Sequence, residues 1–317
     1  MSRKLLNLCL AMLMSMVCTA AWALSEVGGV YQIGSLEDFV AFAELVNGGE
    51  GQPYLNAVLT ADIDKGADRT MIGRDGLDYQ GFFDGQGHTI TVNTINQESE
   101  GTAIFRNVGD NALIQNLKVQ GTITTDKKEA CGIVVWNRGT IRGCYADLNV
   151  ISGVAGDGTH AGIAGVCYQG AMIEDCLAKF TIKGATTNNC GGIVGWCSER
   201  TNVINCLVIN DGSELDLSNG GSGTIGRNDG NLQTVNMESY QQDIYGNRPS
   251  GASTNNYATN AWGNTKCVTI VPYDDLADGR ICYQLNTDQS RITWVQRIGT
   301  DPLPRARSIR QRTGLCI

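Results

Sequence analysis

The sequence predicts an all-β fold, a right-handed parallel β-helix with a short N-terminal capping helix, and three observations predict it. Gly132-Ile133, Gly162-Ile163 and Gly192-Ile193 recur at intervals of 30 residues. Each copy contains a segment in which apolar and polar residues alternate, the mark of a strand with one buried face. Glycine is abundant at 40 residues and proline scarce at 5, with few long Leu, Glu, Lys or Ala stretches, which is a turn-rich β composition.

At the N-terminus, Arg3 and Lys4 precede an apolar run from Leu5 to Val17, and Ala21-Trp22-Ala23 gives the small-x-small pattern of a cleavage site. This predicts a signal peptide over residues 1–23 and export to the cell surface or the medium. The run is shorter than the ~20 residues a spanning helix needs, so no transmembrane segment is expected after cleavage. Val17 before Cys18 is bulkier than a lipidation site wants. Without Arg3 and Lys4 the chain carries 22 basic against 32 acidic residues, a net charge near −10. Nucleic acid is therefore not an expected partner.

Residues 24–53 read as an N-terminal cap. Ser35-Leu36-Glu37-Asp38 resembles a capping box, and Leu36, Phe39, Val40, Ala43 and Val46 describe one amphipathic helix ending at Asn47-Gly48-Gly49. Residues 54–236 read as the solenoid, its first coils irregular, with Phe82-Phe83-Asp84-Gly85 as a turn. The Gly-Ile copies have weaker relatives at Ala103-Ile104 and Thr224-Ile225. A second anchor follows the first four in chain order, at Ile114, Ile141, Ile173 and Val203. Three residues later a strand starts at Leu117, Cys144, Cys176 or Cys206. Each copy thus predicts two strands and a polar return such as Gly184 to Asn189. No helical stripe joins the copies, so coils should stack ~4.8 Å apart and bury their inward faces against their neighbours.

Twelve cysteines, less Cys9 and Cys18, leave ten in an exported chain. Cys144, Cys176 and Cys206 occupy equivalent positions, as do Cys167 and Cys197. Stacked coils bring such pairs within disulfide reach. Their place on the apolar face instead favours reduced thiols acting as small hydrophobes, and a stack of three cannot pair completely.

Gly191-Gly192-Ile193-Val194-Gly195, Gly139-Thr140-Ile141 with Cys144, and Phe83-Asp84-Gly85-Gln86-Gly87-His88-Thr89-Ile90 resemble the GLUG-motif repeat proteins of gut Bacteroidales surfaces. The resemblance runs from about residue 29 to 304 and implies an adhesin-like extracellular β-helix. Residues 237–304 are expected to close the molecule: Asp274 to Leu285 reads as a short helix, and Tyr283-Gln284-Leu285-Asn286, Trp294-Val295-Gln296, Gly299-Thr300-Asp301 and Pro304 resemble the family's closing segment. Residues 305–317, with four arginines in the first eight, depart from it and are expected to be an exposed basic tail, because unpaired cations are costly to bury.

Constellations for catalysis are weak. Asn286-Thr287-Asp288 matches a polygalacturonase signature by letters, without the Asp pair, Gly-His-Gly and Arg-x-Lys that follow it in that family. His88 and His160 lack partners at metal spacing and read as turn residues. Asp62, Asp64 and Asp68 lack the spacing of a calcium loop. No catalytic residue, metal or cofactor is expected. Counting by twos from Ile133, Ile163 and Ile193 places Val134, Trp136, Ala164, Val166, Val194 and Trp196 on the outer face, followed by Arg138, Tyr168 and Ser198. Trp136, Tyr168 and Trp196 are the candidate binding residues, unless the helix or a loop covers them. The expected function is non-enzymatic binding of a glycan or of a host or envelope protein. The alternative is a polysaccharide lyase or glycosidase on the same scaffold.

Overall fold

A computed structural model describes residues 24–96, 101–168, 170–184, 186–197, 201–209, 253–254, 256–258, 269–286 and 293–307. Residues 1–23, read above as a signal peptide, the copy at Thr224-Ile225, Ser198, Thr287-Asp288 and residues 308–317 lie outside them.

The chain winds as a parallel β-solenoid with four walls. Wall 1 has nine strands, parallel from Val30–Ile33 onward through Leu113–Gln115, Thr140–Arg142 and Met172–Glu174 to Ser253–Thr254. Wall 2 has eight, including Thr89–Asn96, Lys118–Thr125, Tyr145–Ser152 and Leu177–Lys183. Wall 3 stacks Glu129–Cys131, Ala155–Ala161 and Thr186–Gly191, and wall 4 stacks Phe105–Val108, Val134–Asn137, Ala164–Cys167 and Val194–Cys197. The two strands expected per copy are therefore four. The polar return enters wall 3 from Thr186 because the backbone of the neighbouring coil supplies its partners.

Ile133 and Ile163 stack in register as expected: the Ile133 N–H donates to the Ile163 carbonyl at 3.0 Å, the Ile163 N–H to that of Ile193 at 3.3 Å, and all three side chains are buried. The glycine before each has a physical cause. A Cβ on Gly132 would strike the Gly162 carbonyl oxygen, and one on Gly162 the Gly192 oxygen, so only glycine allows adjacent coils this approach. On wall 2, Cys144 with Ala146, Leu148 and Val150 lies under Cys176 with Ala178, Phe180 and Ile182 in one core. Between walls 1 and 2 the chain turns through left-handed residues in successive coils: Gln86, Asn116, Gly143, Asp175 and Asn205, with φ of 50° to 60°. Asn, Asp and Gly suit this corner. The side chain of Asn116 also donates to Asp84 at 3.0 Å, tying one coil to the next. Phe82–Asp84 is a strand, and the expected turn falls after it, at Gly85 to Gly87.

The helix Leu36–Asn47 is capped by Ser35, whose hydroxyl accepts the Asp38 N–H at 3.1 Å, while Asp38 accepts the Gly34 N–H. It buries Phe39, Phe42, Ala43 and Val46 in the solenoid core. Phe42, absent from the expected face, meets Tyr31, Tyr79 and Phe83 with ring centroids 5.7 to 6.5 Å apart.

Near the other end, Tyr273–Leu276 and Arg280–Leu285 form two short helical segments. With Trp294 they cover the outward file Leu177, Leu207 and Tyr257 of wall 2. Trp294–Val295 then pairs antiparallel with Arg305–Ala306. The boundary expected at 304 is thus corrected: residues 305–307 are half-buried in a ribbon, and Arg305 is accommodated because its guanidinium meets Asp301 at 3.2 Å.

Candidate functional site

Wall 4 and the corner after it carry the predicted aromatic residues. The count by twos is corrected at its start. Gly132-Ile133 is a bend rather than strand, so Val134, Ala164 and Val194 point into the core with Ile133, Ile163 and Ile193. Asn137, Cys167 and Cys197 are buried in the same wall. Val135 is also buried, in a small separate cluster with Ala103 and Cys131, against which Met71 and Trp136 pack. The phase recovers at Trp136, which lies in register with Asn107 on one side and Val166 on the other, and Val166 with Trp196. Trp136 and Trp196 are half-buried and two coils apart, about 10 Å.

Tyr168 joins this file at the corner, its ring 6.4 Å from that of Trp196 in an edge-on arrangement. All three predicted residues therefore share one surface. Among the described residues, the N-terminal helix does not border them. The border consists of two acid–arginine–aromatic units that sequence reading missed. Arg106 lies over Trp136 at 5.1 Å and bonds Asp75 at 3.1 Å. Arg138 lies over Tyr168 at 4.5 Å and bonds Asp78 at 2.8 Å. The 30-residue period could have paired Arg138 with Tyr168. It could not have found Asp75 and Asp78, which come from the irregular excursion before wall 4 begins. Each guanidinium is positioned by a carboxylate on one side and a π-face on the other, so the rings are held and the local charge is balanced.

His88 closes the turn that begins at Gly85, its N–H donating to the Gly85 carbonyl at 2.8 Å, whereas His160 is a strand residue. His160 is fully buried in wall 3, between the Thr159 carbonyl at 2.9 Å from Nδ1 and the Ser152 hydroxyl at 2.8 Å from Nε2. Burial lowers its pKa to about 4. The pair resembles a nucleophile and base, but the Ser152 oxygen also accepts the Val154 N–H at 3.1 Å, and both side chains are closed off from solvent. The network satisfies interior polar groups. His88 is buried with its Nδ1 3.0 Å from Asp62, and Asp62 also accepts the Thr89 N–H, the main reason that its pKa is lowered. Asp68 bonds the buried Lys65 amine at 2.6 Å and Asp64 accepts the Gly66 N–H at 2.9 Å, so these acids serve separate local bonds.

No protein-family model matches the chain, and no curated protein sequence matches it. Among solved structures it is similar to a candidate immunoglobulin A1 protease from Bacteroides ovatus, with a TM-score of 0.51 and 15% identity over 87% of this chain and 91% of that one. At that identity the likeness shows the fold. The fold is a β-solenoid. No helix among the described residues is long and apolar enough to cross a membrane.

Proposed function

We propose that this chain is a non-enzymatic β-helix of the GLUG-repeat kind, exported to the cell surface or medium, that binds a glycan through the wall 4 strip. The observation that carries the reading is the grouping of Trp136, Tyr168 and Trp196 on one outward surface, with Arg106 and Arg138 held beside the rings. Aromatic faces stack on the apolar faces of sugar rings, and half-buried rings lose little rotamer freedom on binding. The signal-like pattern of residues 1–23 supports export. A host or envelope protein is the other partner class that such a strip suits.

A hydrolytic reading has less support. The described neighbour's name brings in proteolysis, yet the Ser152–His160 contact here is interior and leaves no room for a substrate carbonyl. Incubation of the purified chain with a panel of polysaccharides separates the readings. Binding should retain protein on at least one polysaccharide with no new reducing ends or unsaturated products. Product formation that accumulates with time would replace this reading with that of a carbohydrate-active enzyme.

A further inference from the structure

A second site lies away from the aromatic strip, where the C-terminal ribbon crosses back over the corner of walls 1 and 2. A cavity of about 320 Å³ separates the two. Its solenoid side is made by the outward file Lys118, Tyr145 and Leu177, in register across three coils. The facing side is the turn from Asp301 to Ala306. Gly87, Asn116 and Gly143, at the left-handed corners, form its floor.

The chemistry of this cavity is one-sided. Tyr145, Leu177, Leu303 and Pro304 give it an apolar body. The Lys118 amine sits 5.5 Å from the Tyr145 ring centroid and has no carboxylate within ion-pair distance among the described residues. Arg305 uses its Nη2 on Asp301, while its Nε, shielded from solvent, has no acceptor among the described residues. With Arg305 paired to Asp301, Lys118 is the charged lining residue without an ion pair among the described residues, and Asp62 is near enough to feel its charge. Cavities of this size with an apolar lining and a few convergent polar groups are typical of small-molecule sites.

We propose that this cavity binds a small organic carboxylate with an apolar or aromatic body. The carboxylate meets the Lys118 amine, a pairing favoured by charge-assisted hydrogen bonds. The body lies against Tyr145 and Leu177. The site is independent of the glycan reading, because none of its residues belongs to the wall 4 strip.

The test uses the purified full chain with 3-phenylpropionate, its neutral amide and acetate as probes, followed by ligand-observed NMR and calorimetry. The expected result is saturable binding of 3-phenylpropionate, at least tenfold weaker binding of the amide and of acetate, a loss of at least tenfold in Lys118→Gln, and recovery in Lys118→Arg. The Trp136→Ala/Trp196→Ala double variant should bind the acid as wild type does, which separates this site from the strip. Absence of saturable binding, equal binding of acid and amide, or a Lys118→Gln variant that binds as wild type would overturn the proposal.

Discussion

His160 carries the sharpest residue-level consequence of the fold. In the folded chain it stays neutral down to about pH 4, whereas the unfolded chain takes up a proton near the ordinary histidine value of 6.5. Between these values the unfolded state binds more protons. The stability that neutral His160 contributes is therefore present above pH 6.5 and lost as pH falls towards 4, on the order of 3 kcal/mol in all. Urea unfolding at pH 7.5 and 5.0 should show this loss in wild type and a smaller one in His160→Gln; equal losses would contradict it. The cysteines make a parallel case. The eight described are buried, and burial pushes Cys167 and Cys190 up to about 12. Thiolate is the reactive form, so a thiol reagent at pH 8 should label these eight only after denaturant is added, as read by peptide mapping. Labelling of Cys144, Cys176 or Cys206 in the native chain would contradict the interior stack.

At the scale of elements, legibility followed side-chain pattern. The Gly-Ile copies and the alternation from Cys144 and Cys176 were visible because a core file repeats its chemistry once per coil. Wall 3 was not, since a polar stretch such as residues 186–189 becomes a strand through backbone pairing that no side chain announces. The outward count failed at Val134 for a related reason: the bend at Gly132-Ile133 inserts a residue between two runs of alternation. The aromatic grouping survived that error only because the phase recovers by Trp136. Two substitutions test the element-level account. Ile163→Ala, in the middle of the stack, should cost about 2 to 5 kcal/mol in chemical denaturation. Gly143→Val, at a left-handed corner with φ of 60°, should cost about 1 to 2 kcal/mol. An unchanged midpoint for either would contradict the assigned stack or corner.

The whole molecule is a stack in which backbone pairing runs between neighbouring coils, so its ends need separate treatment. At one end the helix places Phe42 among Tyr31, Tyr79 and Phe83. At the other, the C-terminal segments cover the apolar outer file of wall 2. Phe42→Ala should cost about 3 to 5 kcal/mol and expose the edge of the first coil, seen as concentration-dependent association by light scattering; a monodisperse variant of unchanged stability would show that the helix does not seal the core. Between these ends the molecule presents wall 4 as its ordered aromatic surface. The most direct measurement is the affinity of the Trp136→Ala/Trp196→Ala variant for a glycan that the wild-type chain retains. The account predicts a loss of about 2 kcal/mol or more, roughly thirtyfold, with the circular dichroism spectrum and unfolding midpoint of wild type. A folded variant that binds with wild-type affinity would contradict it.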